Sequence, residues 1–329
     1  MADEDDPREI PWHPRHARRV LGHDQPRERF EAALSSGKPH HAWLLHGPKG
    51  IGKATLAYAL ARRLLAETNP AQTEGWIAAR AHPDLFVLQR SFNDAKPKRL
   101  RGEISVEDAR GLAEFFARTS GSGGWRIAIL DAVDDLNSES ANAILKLVEE
   151  PPNKALIVLV CHVPGKALRT LRSRCLSLAL VPLRPDQTLD ILRELPLEPK
   201  PTQEVLEDAV RLQSGSPGAA LDLLGSTGAK AFSAFLQRPR LSDAERLAIA
   251  NHFSSRQQAY ADYVIFHGLL LDWLARQAAQ KPGSKAALQM SEIHTRLAAQ
   301  QRIVEGYNLD RRQAVLDALG HVRDALKAA

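Results

Sequence analysis

Residues 47–55 of this chain read GPKGIGKAT, a glycine-rich turn between a short apolar run, 42–46, and a long amphipathic pattern, about 52–67. The spacing is that of a phosphate-binding loop, because glycines let backbone N–H groups converge on phosphate oxygens at the start of a helix. The glycines that fill these positions are Gly47, Gly50 and Gly52. Lys53 adds the positive charge that such loops hold beside the terminal phosphates of a nucleotide. Since an apolar run precedes the loop and a helical pattern follows it, the sequence predicts a P-loop domain.

Apolar runs and helical patterns alternate on both sides of this loop, up to about residue 182. The predicted strands lie at 42–46, 84–88, 125–130, 155–160 and 175–180. The predicted helices among them lie at 25–34, 52–67, 106–119 and 137–149. Because the strands are apolar on both faces, we expect a parallel sheet that is covered by helices on both sides.

Helical periodicity replaces this alternation beyond Val181 and Pro182. Short helices are predicted at 187–195, 203–212 and 217–224, and a longer helical region runs from about 230 to 327 with an interruption at 281–284. The predicted fold class is therefore α/β, with a P-loop parallel-sheet core followed by helical domains. The predicted domains are the core at 1–182, a small helical unit at 183–226 and a C-terminal all-α domain at 227–329.

The phosphate loop departs from its usual pattern at the position that holds the metal. Ala54 stands where a Ser or Thr hydroxyl would bind Mg²⁺. Thr55 is turned about 100° farther around the helix, so we do not expect it to replace that ligand. Asp131 follows a predicted strand and is placed as the acidic residue that holds the metal in P-loop enzymes. The residues predicted for a vestigial or weak nucleotide site are Gly47, Gly50, Gly52, Lys53, Thr55 and Asp131.

Two more positions lack groups that ATPases of the AAA+ kind use for hydrolysis. Ala132 stands where those ATPases carry a glutamate that activates the attacking water. Ala219 stands where an arginine of their lid helix contacts the γ-phosphate. Because each such group contributes a factor of about a hundred or more to the rate, we expect no significant ATPase activity. Asp134 and Asp135 lie farther along the loop, and we expect them to cap the next helix.

Several further stretches carry a family resemblance. They are 39–45 (PHHAWLL), 82–85 (HPDL), 142–152 (NAILKLVEEPP), 162–165 (HVPG) and 171–175 (LRSRC). Together with the P-loop, they make the chain resemble the delta-prime subunits of the bacterial DNA polymerase III clamp loader, in the AAA+ clamp-loader family, over about residues 15–226. The resemblance implies an AAA+ core with a helical lid and a C-terminal collar, in a complex with gamma/tau and delta subunits. That complex would load a sliding clamp onto primer–template DNA, which this chain would meet only indirectly.

The same resemblance gives Arg174 a role. In clamp loaders the arginine of the Ser-Arg-Cys motif reaches into the ATP site of a neighbouring subunit and stabilises charge on the γ-phosphate, so Arg174 is identified as a trans arginine finger. Such an arginine contributes a factor of about 10³–10⁵ to the rate. Without this context, three residues alone would favour an ordinary surface arginine, and Arg172 is the alternative for the finger.

Metal, disulfide and membrane features are not expected. Relatives commonly carry a four-cysteine zinc module before residues 82–85, but no cysteine lies between Ala66 and Ala81, and tetrahedral thiolate coordination needs four ligands. The two cysteines, Cys161 and Cys175, are too few for a disulfide framework and indicate a reducing cytoplasm. The longest apolar run is far shorter than the ~20 residues that span a bilayer, and the acidic start does not read as a secretory signal.

Charge does not single out nucleic acid as a direct partner. The formal net charge is +5, and the densest basic cluster, 96–101, contains no aromatic residue that could stack on bases. We expect this cluster to be a solvated surface.

The sequence as a whole predicts a non-motor assembly subunit that needs no cofactor, although ATP or ADP bound without hydrolysis is compatible with the loop. One alternative is an active AAA+ ATPase, either a gamma/tau-like motor or a helicase loader, which predicts turnover by the isolated chain. A second is a free-standing nucleic-acid-binding protein, which predicts a salt-dependent affinity for DNA without partners.

Overall fold

The computed structural model describes residues 9–37, 39–93, 101–121, 123–198, 200–213, 215–254, 259–280, 283–307 and 310–328. Most of the basic cluster 96–101 lies outside these ranges. The described residues divide into two compact units, one within 1–196 and 214–219 and the other within 197–213 and 220–329. The two units are defined by their internal packing and do not test the three predicted domains, so the predicted boundaries at 182 and 226 remain predictions.

The first unit is built on a parallel sheet of five strands. They are β1 (Ala42–His46), β2 (Leu85–Leu88), β3 (Arg126–Asp131), β4 (Ala155–Cys161) and β5 (Leu176–Ala179). The strand order is β2-β3-β4-β1-β5, and every neighbouring pair is parallel. Because parallel neighbours need crossover connections, helices separate the strands along the chain. The predicted fold class, an α/β P-loop core with helices after it, is confirmed.

The helices of the first unit are α1 (Asp24–Ser35), α2 (Lys53–Leu65), α3 (Pro70–Ala78), α4 (Val106–Ala117), α5 (Ser138–Glu149), α6 (Arg169–Arg172) and α7 (Pro185–Glu194). Two short 3₁₀ turns lie at Pro14–His16 and Val133–Asp135. The sequence patterns predicted α1, α2, α4, α5 and α7 to within a few residues of these bounds. Two helices, α3 and α6, were not predicted.

Alternate side chains of the buried strands enter two different hydrophobic cores. In β1, Trp43 and Leu45 pack in the core that α1 and α2 cover. Ala42 and Leu44 pack on the other face, with α4 and α5. Both cores are formed almost wholly of residues with less than a tenth of their surface exposed, which is why the sheet strands are apolar on both faces.

The second unit is all-helical. Its helices are α8 (Gln203–Leu212), the larger part of α9 (Pro217–Gly225), α10 (Thr227–Gln237), α11 (Asp243–Asn251), α12 (Ala259–Gln280), α13 (Lys285–Tyr307) and α14 (Arg311–Ala328). One hydrophobic core joins α10 to α14 and contains Phe232, Tyr263, Phe266 and Val315 with no exposed surface. Among the described residues, no helix is both long and apolar enough to cross a membrane.

Candidate nucleotide site and arginine finger

The phosphate loop has the backbone conformation that its glycines permit. Gly47, Gly50 and Gly52 have φ values of 148°, 80° and 100°, which L side chains rarely adopt. A Cβ on Gly47 would lie 2.3 Å from the carbonyl oxygen of Leu180, so a larger residue cannot replace it without moving the backbone. α2 begins at Lys53, and its first N–H groups have no acceptor inside the helix. The loop therefore retains the ordinary arrangement for binding an anion.

The Lys53 ammonium group bonds to the backbone of the phosphate loop. Only 3% of the residue surface is exposed, and Nζ donates hydrogen bonds to the carbonyl oxygens of Gly47 at 2.7 Å and Pro48 at 2.5 Å. Ser216, just before α9, and Gly218, in the first turn of α9, contact the same loop. The Gly218 N–H donates to the Gly50 carbonyl at 2.8 Å, and the Ser216 hydroxyl donates to the Lys49 carbonyl at 3.0 Å.

Lys53 and Asp131 influence each other's protonation. Burial lowers the pKa of Lys53 to about 8, and the nearby carboxylates of Asp131 and Asp134 partly oppose that shift. Burial raises the pKa of Asp131 to about 6, and the charge of Lys53 partly opposes it. Burial thus disfavours the charged form of both groups, and the charge on each partly offsets the shift in the other's pKa.

The positions that lack catalytic groups lie in three different settings. Ala54 and Thr55 lie in the first turn of α2 and are partly buried. Ala132 is 2% exposed and packs in the hydrophobic core beneath α1 and α2. Ala219 lies against the phosphate loop, since its nitrogen is 2.9 Å from the place a Cβ on Gly50 would take. The loop glycines, Lys53, Asp131 and Ala219 thus come together. Alanine stands at the three positions where a hydroxyl, a glutamate and an arginine are expected in AAA+ ATPases.

The prediction that Asp134 and Asp135 cap the next helix is wrong. Asn137 is the N-cap of α5, and its side chain accepts a hydrogen bond from the Ser140 N–H at 2.9 Å. Asp134 instead accepts hydrogen bonds from the backbone N–H groups of residues 162 and 163, at 2.5 and 2.7 Å. Asp135 forms an ion pair with Arg90 at 3.2 Å. Sequence spacing could not distinguish these partners, because both aspartates bond to residues that are distant along the chain.

Arg174 lies in the turn between α6 and β5, and 42% of its side chain is exposed. Its Nε forms an ion pair with Glu149, at the end of α5, at 2.8 Å. Its Nη1 donates to the carbonyl oxygen of Thr170 at 3.1 Å and to the Ser173 hydroxyl at 3.3 Å. Arg172, the alternative finger, donates from Nη1 to the Pro164 carbonyl at 2.8 Å.

The strand register places Arg174 beside the amino ends of the strands, whereas the phosphate loop lies at their carboxyl ends. Leu176 pairs with Trp43 and Ala179 pairs with His46, so β5 runs beside β1 in the same direction. The phosphate loop leaves the carboxyl end of β1, whereas Arg174 precedes the amino end of β5. A strand of this length separates its amino and carboxyl ends by about 15 Å, at about 3.3 Å per residue. This separation argues against a role for Arg174 at the chain's own P-loop.

Several residues that shape these regions were not predicted. His23 lies at the start of α1 with its Nε2 2.8 Å from the Ile51 carbonyl oxygen of the phosphate loop. Burial lowers the pKa of His23. His41 places its Nε2 2.8 Å from the Val148 carbonyl oxygen at the end of α5. The pairing of Glu149 with Arg174 was also missed. Each contact joins residues far apart in sequence, so no local pattern could have indicated it.

The segment between α2 and β2, where relatives are expected to carry cysteines, contains α3. In the part of the chain that the structure describes, no group of three or more His, Cys, Asp or Glu side chains could hold a metal ion. Cys161 is buried at the end of β4, and burial raises the pKa of its thiol to about 12. The absence of zinc remains a prediction.

Known proteins resemble this chain in the same regions. A family model described as DNA polymerase III, delta subunit matches residues 22–184. DNA polymerase III subunit delta′ of Escherichia coli is 30% identical over 317 residues, which cover 91% of this chain and 86% of that protein. The delta′ subunit of Pseudomonas aeruginosa is 36% identical over 194 residues, 56% of each chain. DNA polymerase III subunit tau of Escherichia coli is 30% identical over 64% of this chain and 33% of its own length. The chain spans only 56% of the length of the delta′ subunits of Pseudomonas aeruginosa and Yersinia pestis in these matches.

Proposed function

Because this chain belongs to the delta-prime family of DNA polymerase III subunits, we propose that it acts as a non-motor subunit of the clamp loader in the bacterial cytoplasm. The observation that carries the proposal is the state of the phosphate loop. Its glycines and Lys53 form a phosphate cradle. The positions that would supply a metal ligand, a water-activating carboxylate and a γ-phosphate arginine are Ala54, Ala132 and Ala219.

The proposed contribution of the chain to hydrolysis is made in trans. Arg174 is exposed beside the amino ends of the strands, away from the chain's own phosphate loop. An arginine there can approach the nucleotide of an adjacent subunit. A guanidinium supplies fixed donors where charge accumulates on the γ-phosphate. Proteins named tau and gamma are among the relatives, and we propose that such a motor subunit is the neighbour. The delta subunit, the sliding clamp and primer–template DNA complete the proposed set of partners.

The phosphate loop of this chain is proposed either to bind ATP or ADP without hydrolysing it, or to have only a structural role. Lys53 would have to exchange two hydrogen bonds to loop carbonyls for contact with a phosphate. Ala54 offers no hydroxyl to Mg²⁺, so metal-bound nucleotide would be held less firmly than in an intact loop.

The first test is ATP binding and turnover by the purified chain, with Mg²⁺ and with a Lys53→Ala variant. We expect no turnover above the background of the variant from folded protein. Turnover that Lys53→Ala abolishes would overturn the non-motor proposal. A difference in ATP binding between the two proteins would show that the cradle holds nucleotide, and equal binding would leave it a structural element.

The alternative of an active AAA+ ATPase is favoured by one observation. Lys53 and Asp131 lie close enough that the charge on each partly offsets the burial shift in the other's pKa, which is the cation–carboxylate arrangement of a working site. The same turnover experiment decides between the two functions, because the non-motor proposal allows no turnover at this chain's own site.

A further inference from the structure

The Arg174 side chain is held in a defined direction by an acidic partner. Nε of Arg174 forms an ion pair with Glu149 at an N–O distance of 2.8 Å, and Nη1 donates hydrogen bonds to two acceptors on the preceding turn. Among the described residues, Nη2 makes no hydrogen bond. The guanidinium is therefore contacted at two of its three nitrogens, Nε and Nη1, while the Nη2 donors are left for another group.

The two backbones that carry this pair are fixed by the core. Val148 precedes Glu149 and is 1% exposed, and Leu171 lies on α6 at 1% exposed. Both residues pack in the same hydrophobic cluster. His41 contacts the Val148 carbonyl at 2.8 Å, so the end of α5 is also tied to the start of β1. The carboxylate thus projects from a rigid position toward the turn that carries Arg174.

Stability does not explain the pair. Glu149 and Arg174 are 40% and 42% exposed, and ion pairs this accessible to water contribute little to folding. Orientation is the larger effect, because an unpaired arginine samples many rotamers and a small misplacement of a catalytic group reduces the rate strongly. The planar guanidinium can bond a carboxylate by one edge and a phosphate oxygen by another.

We propose that Glu149 is a positioning residue for the arginine finger. Its carboxylate holds Nε of Arg174 so that the Nη2 donors are presented to the γ-phosphate of the neighbouring subunit's nucleotide. This inference rests on the proposed trans role of Arg174. Glu149 contacts neither the nucleotide nor the neighbour's catalytic groups, and acts only through the arginine.

The chain supplies a matched control one residue away. Glu150 carries the same charge and is exposed, and no ion pair of its side chain occurs among the described residues. Glu149→Gln and Glu150→Gln therefore change net charge equally, and only Glu149→Gln alters the contact to Arg174.

The experiment uses the reconstituted clamp loader with its sliding clamp and primed DNA. It measures kcat and KM for ATP with wild-type chain, Glu149→Gln, Glu150→Gln, Arg174→Ala and the double variant Glu149→Gln with Arg174→Ala. We expect Glu149→Gln to lower kcat by about tenfold with KM unchanged, because orientation is lost at the transition state and not in ATP binding. Glu150→Gln is expected to match wild type. In the Arg174→Ala background, Glu149→Gln should have no further effect.

The outcomes separate this inference from the proposed function. If Arg174→Ala lowers kcat and Glu149→Gln does not, the positioning role is wrong and the finger stands. If Glu149→Gln lowers kcat equally with and without Arg174, Glu149 acts through folding or assembly, and the inference is again overturned. Unchanged kcat for Arg174→Ala in an assembled complex would remove both. Size-exclusion chromatography and thermal unfolding of each variant verify assembly and folding.

Discussion

At the scale of single residues, the burial of Ala132 predicts that a glutamate at this position would not create a hydrolytic site. The residue follows Asp131 but is 2% exposed in the hydrophobic core. A glutamate there would bury a carboxylate and overfill a packed site. We expect Ala132→Glu to give no ATP turnover and to lower the free energy of unfolding by about 2–4 kcal/mol in urea denaturation.

Ala54→Thr is the comparison for this prediction, because it restores a hydroxyl at a partly exposed position of α2. Its effect on unfolding should be below about 1 kcal/mol, which is the range of helix propensity. Equal stability of Ala132→Glu and wild type, or turnover by that variant, would show that residue 132 can reach the loop.

Lys53 predicts a specific dependence of stability on pH. Its pKa is about 8 in the folded chain, below the ordinary 10.5, because burial disfavours the ammonium form. Between these two values the unfolded chain binds more protons than the folded chain, so this group makes stability rise with pH. Relative to Lys53→Met, wild type should gain up to about 3 kcal/mol of unfolding free energy from pH 8 to 10.5, by urea denaturation.

The comparison with Lys53→Met matters because Tyr58 and both cysteines have pKa values raised to about 12 by burial. Those groups lower stability with rising pH in both proteins and cancel in the difference. Lys146→Met on α5 removes an exposed lysine and is the control. A wild-type curve parallel to that of Lys53→Met would contradict the burial of the Lys53 charge.

At the scale of elements, the crossing of α10 and α12 depends on one glycine. The Gly228 N–H donates to the Asp262 side chain at 3.3 Å, and a Cβ on Gly228 would lie 2.1 Å from the Asp262 carbonyl oxygen. Gly228→Ala would therefore force the two backbones apart. We expect it to lower the free energy of unfolding by about 2 kcal/mol or more, measured in urea.

Gly268 provides the matched control in α12 itself. Apart from its chain neighbours and the backbone of its own helix, no atom of the described residues lies within 4 Å of the place its Cβ would take. Gly268→Ala should stabilise the chain by about 0.5–1 kcal/mol, because alanine has less conformational entropy to lose than glycine inside a helix. Similar effects of the two substitutions would rule out close packing at Gly228.

Elements with a local signal were predictable from the sequence. The strand at 42–46 and the helix at 203–212 have the predicted bounds, because apolar periodicity and flanking turns are encoded within each segment. α3 was missed although Pro70 stands at its first turn, since residues 70–78 have no apolar stripe of helical period. α6 spans only Arg169–Arg172, too short for any periodic pattern.

The candidate site divides in the same way. The glycines and Lys53 form a motif whose spacing carries the geometry. Asp131 could be placed near them because it ends another strand of the same parallel sheet. The contacts of His23 with the loop and of Glu149 with Arg174 could not, because they depend on how strands and helices pack. The role of Asp134 was wrongly predicted for this reason: its partners follow β4, on another strand.

At the scale of the whole molecule, residues distant along the chain form one unit. α8 and α12 both belong to the second unit, and a buried carboxylate connects them. Asp208 on α8 is 1% exposed and accepts hydrogen bonds from Arg276 on α12 at 2.7 Å and from Arg211 at 3.0 Å. No sequence pattern indicates this connection, because a charged residue in an amphipathic helix reads as part of its solvated face.

We expect that removing the charge of the Asp208 carboxylate lowers the stability of α8 and α12. In Asp208→Asn, the two arginines lose their buried partner but are partly exposed and can turn to water, so the penalty should be moderate. We expect the free energy of unfolding to fall by about 1–3 kcal/mol, and amide hydrogen exchange to rise first in α8 and α12. Asp222→Asn on α9 removes an exposed carboxylate from the same unit and should leave both measurements unchanged. Protection from amide hydrogen exchange in α8 and α12 that survives Asp208→Asn would mean that apolar packing alone holds these helices together. The buried carboxylate would then have no role in joining the discontinuous segments of the second unit.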